Sequence, residues 1–189
     1  MSFLPSMPGA SLMEMFQRHP ELAAPLHEFA ENLMRGPSTL APGERELIAA
    51  YVSALNGCAF CTQAHAAVMG HLGQDPGLVD ALVADPESAP VSPGLRVLLD
   101  YVRRLNDDPH QVDREAVERV LAAGWDEAAL VYANVVCGFF NLMNRWVDGT
   151  GIPADPRAVE VAGTFLRDQG YGGVGRMLAG AGPRGVGAG

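Results

Sequence analysis

The stretch NGCAFCTQAH, residues 56–65, sets Cys58 and Cys61 three residues apart and His65 four residues after the second, in a chain whose one other cysteine is Cys137. Two sulfurs at that spacing near a helix start can close a disulfide without large backbone movement, so one thiol can attack and the other resolve. Gly57 suits the end of one helix, which puts Cys58 and Cys61 in the first turn of the next. There, unpaired amides and the helix dipole favour an anion and lower a thiol pKa. Cys61 and His65 then share a face, where an imidazole takes the thiol proton or pairs with the thiolate, and this makes Cys61 the better-activated sulfur. Glu46 lies about eleven residues before the Gly57 corner and His65 about eight after it. At ~1.5 Å per residue the two sit within roughly 5 Å of one level if the helices pack antiparallel, so Glu46 is placed to orient or polarise His65.

Plainer readings exist for each residue. Two cysteines can be small core residues, His65 a satisfied core histidine, and Glu46 part of the surface-like run GERE. Zinc is the other sharp chemistry for Cys, Cys and His, but the sequence offers no fourth ligand at suitable spacing: His71 falls on another face, and Cys137 lies in the apolar run VYANVVCGFF, where it reads as a slow-reacting buried hydrophobe. No metal and no cofactor is expected.

The elements that must position these residues are helical. Apolar residues recur at spacings of three and four almost throughout, with no alternating strand and hairpin chemistry, which predicts an all-α fold. The predicted helices are 11–18, 21–34, 42–55, 60–72, 76–84, 93–106, 113–123, 126–147 and 155–168. Pro42, Pro76, Pro93 and Pro156 suit first turns, and Gly36, Gly57, Gly73 and Gly124 suit stops. APGERELIAAYVSALNG and SPGLRVLLDYVRRLND share Pro-Gly, then Arg, and a closing Leu-Asn, a weak sign of repeated helical units. We divide the chain into an N-terminal extension, 1–20, a helical domain, 21–169, and a glycine-rich segment, 170–189, too rich in glycine to hold a helix by itself and read as a tail or an arm on a neighbouring subunit.

Composition limits the partners. The 189 residues suffice for one domain with a continuous core. A formal charge of −9 with scattered basic residues argues against nucleic acid. Three cysteines do not make a secreted disulfide framework, and no signal-like or membrane-spanning stretch is found, so a soluble cytoplasmic protein is expected. Long apolar faces, as in ALVYANVVCGFF, point to association.

The run ERELIAAYVSALNGCAFCTQAH resembles the core of the alkylhydroperoxidase D-like proteins within the carboxymuconolactone decarboxylase superfamily, whose signature is Glu, then Cys-x-x-Cys, then His. ERVLAAGWDEAALVYANVVCGFFNLM followed by NRWVDGTGIP is similar to the second half of the branch called peroxidase-related enzymes. The likeness spans about Glu21 to Ile152. It implies a compact all-α subunit, homo-oligomers that are often trimers or hexamers, and a thiol peroxidase cycle with Glu46, Cys58, Cys61 and His65 as catalytic residues. It also implies an organic hydroperoxide substrate and reduction by an external dithiol, a lipoyl-type adaptor or a thioredoxin-like protein.

In one place the pattern departs. The family's second histidine stands just before the second cysteine, and here that residue is Phe60, which removes a proton shuttle and makes the surroundings more apolar, raising a thiol pKa. Phe60, Phe139, Phe140 and Trp146 would suit an organic hydroperoxide if they line a pocket, although aromatics at helical spacing are more often core. Asn144 and Arg145 read as a capping or surface pair before a site feature. Competing functions are a dithiol redox sensor, a general disulfide reductase, and a decarboxylase-like lyase, which would not need the cysteine pair.

Overall fold

The structure, a computed structural model, describes residues 2–180, and these form an all-α fold with no strand among them. The helices are α1 (Leu12–Arg18), α2 (Pro20–Arg35), α3 (Pro42–Leu55), α4 (Ala59–His71), α5 (Leu78–Ala84), α6 (Pro93–Asp107), α7 (Arg114–Ala122), α8 (Glu127–Thr150) and α9 (Pro156–Gly180). A single 3₁₀ turn, Pro109–Gln111, joins α6 to α7. Each helix was expected from the apolar period. The largest difference is α9, which runs twelve residues past its predicted end at Asp168.

Local chemistry sets many of these limits. Pro42 and Pro93 open their helices, where a missing N–H costs nothing. Ser11 and Glu14 form a capping box on α1, and Asp113 and Asp126 accept from the amides of Ala116 and Ala129 to cap α7 and α8. Pro76 instead lies in the turn before α5, which starts at Leu78.

The two similar segments become α3 and α6, and their shared residues do matching work. Arg45 is buried and donates to the carbonyls of Leu33, Gly36 and Leu40, while Arg96 donates to those of Pro86 and Ala89. Arg45 thus ties α3 to the end of α2 and the loop between them, and Arg96 ties α6 to the loop before it. The closing asparagines meet, Asn106 donating to Asn56 at 3.1 Å.

α3 is the axis of the main core: from Leu47 to Val52 every residue is buried, against α4, α8, α5 and α6. A second apolar cluster gathers Met15, Cys58, Phe60, Cys61, Ala64 and Val147 beneath the chain's first helix. The N-terminal extension belongs to this body, since Phe3 donates its amide to the Thr150 carbonyl at 2.9 Å and Ala10 is buried.

The glycine-rich segment differs from expectation over 170–180, where it is helical and packs on α2 and α4; residues 181–189 lie outside the described residues. The break in α9 is at Gly170, with φ 65° and ψ −177°, a conformation open essentially to glycine alone. The helix restarts with the Gly172 amide donating to Glu31 at 2.8 Å, an anion at a helix start. Gly170→Ala is therefore expected to lower stability by about 1–3 kcal/mol and the melting temperature by about 2–12 °C, measured by thermal unfolding beside an exposed control such as Gly149→Ala. Equal melting points for Gly170→Ala and the parent would show that the kink is not required.

Candidate active site

The corner carrying the thiols is built by the end of α3. Gly57 takes φ 76°, its amide donates to the Ala54 carbonyl at 3.0 Å, and the Cys58 amide reaches back to Ser53 at 2.9 Å. This paired 5→2 and 6→1 closure is the Schellman stop, and it leaves Cys58 as the N-cap of α4 with Cys61 in its first turn. Both thiols are free and buried.

Glu46 and His65 meet as the register predicts, with His65 Nδ1 2.8 Å from Glu46 Oε2. Glu46 is completely buried and accepts from two further groups. Arg35 Nη1 lies 2.8 Å from Oε1, and the Tyr171 hydroxyl lies 3.0 and 3.1 Å from the two oxygens. Burial, then the Glu46 charge, holds the Tyr171 phenol well above its usual range, so it stays a donor. The Arg35 guanidinium also sits over the Tyr171 ring at 5.4 Å.

A carboxylate that accepts from Nδ1–H fixes the imidazole tautomer and leaves Nε2 with a lone pair. The Phe140 ring, edge-on at 4.4 Å, and the nearly parallel Tyr171 ring at 6.3 Å hold the imidazole in place. Among the described residues no sealed side-chain nitrogen or oxygen lacks a partner. Nε2 makes no hydrogen bond to a described residue, and His65 lines a cavity.

That cavity has a volume of about 660 Å³ and an apolar wall into which Cys61, His65 and Tyr171 open. Phe60, Phe139 and Phe140 line it, whereas Trp146 packs edge-on against Phe16 at 5.4 Å and is core. Cys58 does not line it.

The thiols divide the work differently from the sequence expectation. Hydrogen bonding from the Cys61 thiol lowers the Cys58 pKa, with the Cys61 amide adding to it and burial opposing. Donation to Cys58, then burial, pushes Cys61 up, and only the hydrogen bond with Asn144 works the other way. The pKa of Cys58, the sealed sulfur, is thus held down, while that of Cys61, the sulfur expected to be better activated, is held up, and Cys61 is the one open to the cavity. His65 is engaged with Glu46 rather than with Cys61. The Cys137 thiol is pushed up to about 11 by burial, in keeping with a slow-reacting core residue.

Asn144 is not a surface feature. It is buried, donates to Ser53 Oγ and accepts from Asn56, both at 2.9 Å, which fixes its amide beside Cys61. Arg145 points outward to Asn141. Among the described residues no group of three or more His, Cys, Asp or Glu side chains is arranged to hold a metal ion.

Arg35 and Tyr171 carry no sequence signal of their role. Tyr171 reaches Glu46 from 125 residues away, through a segment whose composition suggests no helix.

Residues 20–103, which include Glu46, Cys58, Cys61 and His65, match the model of the Carboxymuconolactone decarboxylase family. The fold is similar to that of an alkylhydroperoxidase AhpD core, a peroxidase-related protein from Ralstonia eutropha JMP134, with a TM-score of 0.72 and 23% identity over 79% of this chain and 78% of that one. A peroxidase-related protein from Silicibacter sp. TM1040 is similar at TM-score 0.68 and 25% identity, over 84% of this chain and 94% of that one. None of the curated proteins matches the sequence.

Proposed function

From the premise that this chain is an alkylhydroperoxidase D-like member of the carboxymuconolactone decarboxylase superfamily, we propose that it is a thiol peroxidase for organic hydroperoxides, acting in antioxidant defence in the cytoplasm. The observation that carries this reading is one cavity into which Cys61 and the free nitrogen of a Glu46-locked His65 both open.

In the proposed cycle the Cys61 proton passes to His65 Nε2. The Cys61 thiolate attacks the terminal oxygen of the hydroperoxide, the O–O bond breaks, and Cys61 becomes a sulfenic acid while the substrate leaves as an alkoxide. Protonated His65 gives that alkoxide its proton, and an alcohol departs. Cys58 then attacks the Cys61 sulfur, expelling hydroxide that leaves as water and closing a disulfide. An external dithiol, a lipoyl-type adaptor or a thioredoxin-like protein, supplies the two electrons that restore the pair. Exposed Leu22, Phe29 and Val131 favour a homo-oligomer, and we assign a trimer or hexamer. No helix among the described residues is long and apolar enough to cross a membrane.

One equivalent of cumene hydroperoxide added to the reduced protein is expected to remove two of its three thiols within seconds, leaving Cys137, as counted with a thiol reagent. Unchanged thiols would reject the peroxidase reading. The ionisation of sealed Cys58 favours one alternative, a disulfide reductase or redox switch, in which small disulfides but not hydroperoxides oxidise the pair. A lyase would keep its activity when both Cys58 and Cys61 are replaced by serine.

A further inference from the structure

The cavity is lined by both reactive and charged side chains. Cys61, His65 and Tyr171 are buried in its lining, and Arg157 is exposed. Much of the remaining wall is apolar, drawn from Leu12 and Phe16, from Phe139 and Met143 of α8, and from Val161 and Phe165 of α9. A volume of about 660 Å³ lies well inside the roughly 300–1,000 Å³ range of small-molecule sites and far exceeds what hydrogen peroxide fills.

Arg157 is the permanent cation in this lining among the described residues. His27, the other basic side chain there apart from His65, is held neutral by burial, with Nδ1 engaged at 2.7 Å by the Ala23 carbonyl. Among the described residues Arg157, like Arg18, Arg114 and Arg176, forms neither an ion pair nor a side-chain hydrogen bond, whereas Arg103, Arg104, Arg119 and Arg167 each pair with an acid, so its guanidinium is open to a ligand. Asp155 is turned to its own helix, where Oδ1 accepts from the Ala158 amide at 3.0 Å. Arg157 also occupies the first turn of α9, where the helix dipole disfavours a cation. What sets Arg157 apart is its place, since it is the arginine that lines the cavity, where an incoming anion can meet it.

We propose that this cavity binds a long-chain carboxylate, with its alkyl chain along the apolar wall and its carboxylate on the Arg157 guanidinium. Resting on the peroxidase reading above, the substrate is a fatty-acid hydroperoxide whose in-chain peroxide group reaches Cys61, and the product is the hydroxy acid. The alkyl chain supplies most of the burial, and the bidentate guanidinium sets its direction.

Binding can be read without any chemistry. Displacement of fluorescent cis-parinarate from the reduced protein is expected to show palmitate binding about tenfold or more tighter than methyl palmitate, and Arg157→Gln, an exposed substitution, is expected to erase that preference. A second, kinetic measurement compares linoleate hydroperoxide with its methyl ester: Arg157→Gln raises KM for the acid about tenfold and leaves the ester unchanged. Equal affinity for acid and ester in the parent, or a preference that survives in Arg157→Gln, overturns the inference. Acid-selective binding without thiol loss on adding linoleate hydroperoxide upholds the carboxylate site and rejects only the peroxidase reading. Rapid thiol loss with cumene hydroperoxide and no acid preference does the reverse.

Discussion

Cys61→Ser is expected to reduce hydroperoxide consumption by a factor on the order of 10³ or more, whereas Cys58→Ser retains a single turnover that stops at a sulfenic acid on Cys61. The asymmetry follows from access. Cys61 lines the cavity and Cys58 is sealed away from it, although Cys58 is the more acidic of the two. Cys58 also holds back its neighbour, since donation to Cys58 and burial are what raise the Cys61 pKa. Removing that partner lowers the Cys61 pKa, so the first chemical step in Cys58→Ser is expected to be as fast as in the parent or faster. In the parent, the rate falls as pH drops through the first ionisation of the pair, which lies below the ordinary thiol value of 9.0. Stopped-flow thiol loss, with dimedone trapping and mass analysis of the labelled cysteine, decides the matter. A sulfenic acid on Cys58, formed in Cys61→Ser at the parental rate, would reverse the assignment.

What the sequence reveals and what it hides divide along physical lines. The thiol corner is legible because it is local: Gly57 must end α3, and the helix that follows carries Cys61 and His65 in fixed register. Glu46 is nearly as legible, because two antiparallel helices joined by a tight corner place residues by simple counting of rise. Tyr171 and Arg35 are hidden because their contacts with Glu46 depend on how α9 and α2 pack, which no periodicity encodes. The glycine-rich segment misleads for a related reason. A Cβ at Gly170 would come within 2.6 Å of Glu31 Oε2 and one at Gly172 within 3.3 Å of Glu31 Cγ, so glycines that weaken the isolated helix also let it approach α2. Asn144 reads from sequence as a capping or surface residue because its partners, Ser53 and Asn56, lie about ninety residues away on α3 and at its cap.

Glu46→Gln is expected to slow peroxide-driven thiol loss by about 10²–10⁴-fold while leaving the cavity intact. The change is isosteric, but it turns one acceptor oxygen into a donor within a ring of donors. Arg35 and Tyr171 face Oε1, and His65 and Tyr171 face Oε2, so either orientation of the amide sets N–H against N–H. If the amide nitrogen faces Arg35, the guanidinium loses its counter-charge. If it faces His65, the imidazole loses the acceptor that kept the proton on Nδ1, and Nε2 no longer serves reliably as a base. The folding cost is about 2–4 kcal/mol, below that of breaking a fully buried pair, because Arg35 keeps 21% of its side chain in contact with water. The two effects separate in one pair of measurements. Tyr171→Phe removes a donor to Glu46 but keeps the ring beside Arg35 and the Nδ1 lock, so it should share part of the thermal destabilisation while retaining most of the rate. A Glu46→Gln protein that is less stable yet loses thiols at the parental rate would show that the carboxylate is structural and that His65 needs no partner to move the proton.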